Sequence, residues 1–381
     1  MSESESGTGN GGPGGRLPRT ERYEAPLYLA RYLERQARQR PGGDDDGPPA
    51  DENVPLYLRR FRERRAAPLA LDSLPSEPQG FNAKYAEVAR SKEIVAPLEA
   101  RIPVRVSVRL VRHGETQGYS TDSGLTPLGG WQSHRRGFDI SKGVREGDKV
   151  RLVCADTARA RQTADHIHRG LLDGLEQWGR QAEITGPEAL PELANFQVAT
   201  PSGLRDVTTA FREYQSVMEG YERVALGDRP LWLVEVDRFW RTQVAGADPI
   251  HYWLTIPMLH FEPPVSCVRR FWSAITRLAE EAPGPPAVEA GPGPPAVEAG
   301  RGTVIVAATH SGPIRAFATW AHGYDPGEPY NLEEVVVSVK EGAKEALVAY
   351  RNRVTEVHVP PMHELPKWGE AEVDALRGAL R

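Results

Sequence analysis

Three short apolar runs each stop at a polar, cation-rich motif, and this arrangement restricts the fold more than any other feature of the chain. VRVSVRLV at 104–111 runs into Arg112-His113-Gly114-Glu115, KVRLVC at 149–154 into Asp156-Thr157-Ala158-Arg159, and TVIVAAT at 303–309 into His310-Ser311-Gly312. Apolar runs of this length, rich in Val and Ile, read as buried strands. Thr157–Gly170 follows the second run as a helix, and a further helix is expected from about Pro313. Val335–Lys340 and Ala346–Arg351 read as a hairpin or strand pair, with Val354–Val357 after them. Strands alternating with helices predict an α/β fold, with a mostly parallel central sheet covered on both faces.

In open α/β sheets, ligands bind beyond the carboxyl ends of the strands, so a His placed there faces a crevice and not the core. Gly114 allows backbone to approach an anion closely, and Arg112 presents a planar fork of donors that matches phosphate oxygens. A lone Arg-His-Gly arises easily by chance. The joint pattern is what carries information: His113, His310, Arg112 and Arg159 are each delivered by a strand end, with Arg161 as the competing register for Arg159. The helix starts after the second and third strands add N–H donors and a favourable dipole. Together these groups suit a tetrahedral dianion.

The chain therefore resembles the histidine phosphatase (phosphoglycerate mutase-like) superfamily, in the branch with the RHG motif. The resemblance rests on LVRHGET at 110–116, LTPLG at 125–129, RARQTA at 159–164 and THSG at 309–312, and it covers roughly residues 104–358. It implies a three-layer α/β/α sandwich and a phosphohistidine mechanism that needs no cofactor or metal. His113 resembles the nucleophile, and Arg112, Arg159 and His310 resemble the phosphate-pocket residues. Gly114, Thr116 and Ser311 complete the implied phosphate contacts. In LPELANF at 190–196, Glu192 resembles the proton donor.

The roles are chemically coherent. His113 attacks phosphorus only as the neutral imidazole, and nearby Arg112 and Arg159 disfavour its charged form. Covalent capture divides one difficult displacement into two easier ones. Glu192 protonates the leaving alkoxide and then accepts a proton from water. Glu115 and Asp156 stand as alternative carboxylates, Glu115 being better placed to orient Arg112 or cap a turn. Two departures from the family pattern bear on substrate. Tyr119 replaces an Asn common six residues after the nucleophile, with Thr116 or Gln117 as substitutes. LANFQVATPSG after Glu192 matches neither the stretch usual in mutases nor that usual in phosphatases. The expectation is a phosphomonoesterase acting on a small phosphate ester, with a phosphoglycerate-type mutase and a non-catalytic scaffold as alternatives.

Catalytic body and flanks divide by composition. Of 381 residues, 37 are Gly and 33 Pro, unevenly spread. Residues 1–100 read as a largely disordered arm, 101–360 as the catalytic domain and 361–381 as a tail. Within the domain, 205–265 is an aromatic-rich helical insertion, and 283–301 is a Pro-rich loop holding a tandem PGPPAVEAG. The arm carries a motif twice, PLYLARYLER at 26–35 and PLYLRRFRER at 55–64, which suits either packed helices or docking to a protein partner. A net charge of −5 without a long basic stripe outside the N-terminal region argues against nucleic acid. No run reaches the roughly 18 apolar residues that a membrane span needs. The first residues lack the features of a signal peptide, and Cys154 and Cys267 alone give no disulfide framework, so a reducing cytoplasm is expected.

Overall fold

A computed structural model describes residues 104–116, 124–282 and 302–379. The duplicated motif at 26–35 and 55–64, Gln117 and Tyr119, and the tandem repeat at 283–301 lie outside the described residues. Among the described residues one sheet holds seven strands: β1 (Val104–Arg112), β2 (Lys149–Cys154), β3 (Glu183–Ala189), β6 (Thr303–Thr309), β7 (Glu334–Lys340), β8 (Glu345–Tyr350) and β9 (Arg353–His358). Their order across the sheet is β3-β2-β6-β1-β7-β8-β9. A separate hairpin pairs β4 (Gln197–Thr200) with β5 (Gly203–Asp206).

The sheet is mixed. Strands β3, β2, β6 and β1 run parallel, whereas β1–β7, β7–β8 and β8–β9 pair antiparallel. The expected mostly parallel order therefore holds for one half only. Connection length sets the alternation among β7, β8 and β9, which are joined by tight turns, and a turn of a few residues can only reverse the chain.

Strand alternation sends side chains to two separate cores. On one face Val111, Val150, Leu152 and Val306 pack with Ile140, Ile167, Leu171 and Leu175. These last four belong to α1 (Pro127–Ser141) and α2 (Ala158–Gln177). On the other face Val108, Leu110, Ile305 and Val337 meet Phe271, Ile275, Ile314 and Phe317. These come from α6 (Pro264–Glu281) and α7 (Ser311–His322). Helices on both faces of a sheet make the three layers. Helices α1 and α2 pack closely because glycines face each other's backbone. A Cβ on Gly137 would stand 2.0 Å from the Ile167 carbonyl oxygen, and one on Gly170 would stand 1.9 Å from that of His134.

The insertion comprises α3 (Val207–Tyr221), α4 (Leu231–Val244) and α5 (Pro249–Thr255). Its aromatics mostly build core. Trp253 stacks on Phe196 with ring centroids 4.2 Å apart, and Trp240 stacks on Phe211 at 3.6 Å. Such pairs add about 1 kcal/mol each beyond simple burial. The last helix, α8 (Glu370–Ala379), lies within the segment expected to be a tail. Among the described residues no helix is long and apolar enough to cross a membrane.

Candidate active site

Strand register assembles the site. Arg112 stands opposite Thr309 in the β1–β6 ladder, and Cys154 stands opposite Ala308 in the β2–β6 ladder. The pairing continues one residue past each strand: His113 N–H donates to the Thr309 carbonyl (2.9 Å), and Ala155 N–H donates to that of Ala308 (2.9 Å). The three motifs thus leave the sheet side by side at its carboxyl edge. This edge is where a parallel sheet exposes strand ends to ligand.

His113 and His310 are brought together, with ring centroids 5.4 Å apart and planes at 68°. Both are buried, at 3% and 2% exposure. The Nδ1 of His113 lies 2.8 Å from the Gly114 carbonyl oxygen. A carbonyl only accepts, so Nδ1 carries the proton and Nε2 keeps its lone pair. Burial is the main reason the His113 imidazole is pushed down to about 3. The hydrogen bond to Gly114 opposes that shift, and the Arg112 and Arg159 charges reinforce it. Sequence reasoning assigned the effect to the arginines, but desolvation outweighs them. His310 is likewise held well below its ordinary value by burial, then by Arg159, His113, Arg112 and Arg270. Its Nε2 lies 3.5 Å from Thr157 Oγ1, and its buried Nδ1 has no hydrogen-bond partner among the described residues.

Helix α2 settles the register of the second motif. Thr157 caps it by accepting from Ala160 N–H, so Arg159 and Thr163 fall on the inward face. Arg159 is 2% exposed, whereas Arg161 points outward and pairs with Asp156 through Nε–Oδ1 at 3.0 Å. That pairing also removes Asp156 from the carboxylates available to the site. Thr163 was not singled out from sequence. Its Oγ1 accepts from Gly114 N–H (3.0 Å) and donates to the Arg159 carbonyl (2.7 Å), tying the two motifs together. Gly114 cannot carry a side chain, because a Cβ would approach the Gly129 carbonyl oxygen to 2.7 Å.

Glu115 does not orient Arg112. Its carboxylate accepts from Thr126 Oγ1 (3.0 Å), the residue that caps α1, so it fixes the turn. Arg112 instead contacts the Pro329 carbonyl and the Glu328 carboxylate, the latter at 3.1 Å. Ser311, the first residue of α7, helps to stabilise the Glu328 charge. Thr116 pairs with Leu125 in an isolated bridge.

Glu192 sits on a short 3-10 turn, Pro191–Leu193, anchored to the end of β6 by Thr309 Oγ1 donating to the Leu193 carbonyl (2.6 Å). Its Oε1 lies 3.0 Å from Arg277, and its Oε2 is buried with no partner among the described residues. The carboxylate thus contacts Arg277, not the histidines. Arg270 holds this turn from below. It donates to the carbonyls of Glu192 (2.7 Å), Ala194 and Asn195, and is itself gripped by fully buried Glu262 at 2.7 and 2.8 Å. Neither Arg270 nor Glu262 carries a motif. They stand eight residues apart, and Arg270 reaches the Glu192 turn from 78 positions away, which no local pattern in the sequence reveals.

Comparison with known proteins gives one family match: residues 108–188 fit the model for the histidine phosphatase superfamily (branch 1). No curated protein matches the chain in sequence. Among solved structures, a mycobacterial glucosyl-3-phosphoglycerate phosphatase is 16% identical, covering 69% of this chain and 98% of its own, with a TM-score of 0.34. A phosphoglycerate mutase from Bacillus anthracis is also 16% identical, covering 72% and 99%, with a TM-score of 0.34. The YhfR protein of Bacillus stearothermophilus is 15% identical, covering 67% and 100%, with a TM-score of 0.36. The matched segment spans the Arg-His-Gly turn, both helices of one sheet face and Arg159, and over those residues the chain is similar to the histidine phosphatase superfamily.

Proposed function

We propose that the protein is a phosphomonoesterase that hydrolyses a small phosphate ester through a phosphohistidine at His113. The observation that carries this reading is the buried pair of His113 and His310, 5.4 Å apart, both held neutral beside the charges of Arg112 and Arg159. A neutral imidazole with a free Nε2 is a nucleophile, and the arginines meet the charge that develops on the equatorial oxygens.

In the first step the Nε2 lone pair forms an N–P bond, the ester P–O bond breaks, and the leaving oxygen takes a proton from Glu192. In the second, water attacks phosphorus, the N–P electron pair returns to Nε2, and Glu192 recovers a proton from the water. In this reading Glu192 serves both steps through its Oε2, which has no protein partner among the described residues. Gly114, Thr116 and Ser311 line the phosphoryl seat in this reading. A reducing cytoplasmic setting fits the two buried free thiols, Cys154 and Cys267. The duplicated motif at 26–35 and 55–64 is the candidate for docking a protein partner.

The test is phosphate release from a panel of phosphate esters, run beside isomerisation of phosphoglycerates. Release that disappears in His113→Ala supports the phosphatase. Isomerisation without release favours a mutase, and equal behaviour of wild type and His113→Ala on every substrate favours a scaffold.

A further inference from the structure

The Glu328 carboxylate lies against the same groups that the phosphatase reading assigns to the phosphoryl group. Its Oε1 is 3.1 Å from Arg112, its Oε2 is 3.7 Å from buried Arg315, and Ser311 at the start of α7 helps to stabilise its charge. This is the environment of a bound oxyanion: a guanidinium, a hydroxyl and a helix N-terminus. Here the chain's own anion fills part of it. The loop bearing Glu328 is held in place, because Arg351 donates to the Glu328 carbonyl (2.9 Å) and Arg315 grips Asp325 at 2.6 and 2.7 Å. The carboxylate is therefore positioned by the fold.

We propose that Glu328 is a charge-selecting residue of the anion pocket, one that competes with the incoming phosphoryl group for Arg112 and Ser311. The inference rests on the phosphate-pocket reading and adds a substrate preference to it. A dianion arriving beside an ionised carboxylate meets like-charge repulsion, which weakens when the carboxylate gains a proton or moves aside. Esters with a second anionic group beside the phosphoryl bear the greatest penalty, and esters with a hydroxyl or ammonium group there bear the least.

Burial raises the Glu328 carboxyl above its ordinary value, opposed by Arg112, Ser311 and Arg315 and assisted by Asp248. Asp248 and Asp325 both face Arg315, and His251 contacts Asp325 at 2.8 Å. All three remain in a Glu328 variant, so their contribution cancels on comparison. His113 does not titrate above about pH 4, since it is pushed down to about 3.

The experiment uses sulfate as the probe, because its charge stays constant from about pH 5 to about pH 7.5. Sulfate affinity of the full chain is measured by calorimetry for wild type, Glu328→Gln and Arg159→Leu. Glu328→Gln should bind sulfate several-fold more tightly than wild type at the higher pH, because the competing charge on Arg112 is gone. Wild type should gain affinity toward the lower pH, the direction that a carboxyl raised by burial gives, and the variant should lack that gain. Equal or weaker binding by Glu328→Gln at the higher pH, with wild-type thermal unfolding, overturns the proposal. Arg159→Leu separates the two ideas. If sulfate binding survives that change, the anion site lies elsewhere, and the phosphate-pocket reading fails together with the inference. On the substrate panel, Glu328→Gln should raise the kcat/KM ratio of phosphoglycerate to glycerol phosphate severalfold, and an unchanged ratio contradicts charge selection.

Discussion

Acid should destabilise this protein partly through His113, and the size of that effect follows from the site. The imidazole is 3% exposed and pushed from 6.5 down to about 3 in the folded chain, while the unfolded chain has no such constraint. Between those values the unfolded state binds a proton that the folded state refuses. The sign is then fixed: stability from this group is fully present above the unfolded value and lost as pH falls toward the folded one. Going from about pH 7 to about pH 4.5, the linkage relation gives a loss on the order of 2.5 kcal/mol from His113 alone. The perturbation is His113→Gln, which keeps a polar side chain but cannot take up the proton. Urea unfolding at the two pH values, followed by tryptophan fluorescence, measures it. All 8 Trp lie between Trp131 and Trp368, so the signal reports the catalytic body. His113→Gln should lose about 2.5 kcal/mol less than wild type over the range. Parallel losses in the two proteins would refute the claim that burial keeps this ring neutral.

Three further outcomes are expected. Arg159→Leu should lower kcat/KM by about 10² or more, as loss of a buried charge-stabilising donor does, whereas Arg161→Ala, an exposed change, should leave it within about twofold; steady-state kinetics on one active ester decides. Glu192→Gln should slow turnover of alkyl phosphates far more than of an aryl phosphate whose leaving group needs no proton, and an equal loss on both would remove Glu192 from the acid role. Arg270→Leu strands Glu262 without its cation and should cost about 3–5 kcal/mol in urea unfolding, with an unchanged midpoint counting against the Arg270 anchor of the Glu192 turn.

What was legible in the sequence was whatever depends on local pattern. β2 and β6 occupy the expected spans, Lys149–Cys154 and Thr303–Thr309, because continuous β-branched runs bounded by polar turns admit little else. Helix α2 extends beyond the expected Gly170 to Gln177. The motif resemblance favours Arg159 over Arg161, and the cap at Thr157 gives the physical reason, by fixing which face turns inward. Helix α1 was not foreseen as a helix, since its Gly-rich PLGGWQSHRRGFDIS lacks an apolar stripe; its glycines serve contact with α2. Strand β3, EITGPEA, is a largely exposed edge and shows no apolar alternation. Glu328, Arg270 and Glu262 escaped for another reason. Arg270 meets Ala194 over 76 positions and Glu262 meets Gln197 over 65, while Glu328 meets Arg112 from the opposite half of the chain, and only the folded chain shows that Arg112 or the Glu192 turn is near them.

The central claim is that His113 Nε2 forms a bond to phosphorus. The direct measurement mixes wild-type protein and His113→Ala with ³²P-labelled members of the ester panel, quenches in base, and maps any base-stable, acid-labile label by peptide mass spectrometry. The account predicts label on the peptide containing His113, attached at Nε2 and absent from the variant. Turnover of an ester by a protein that never carries label at His113, or label that persists in His113→Ala, would contradict it.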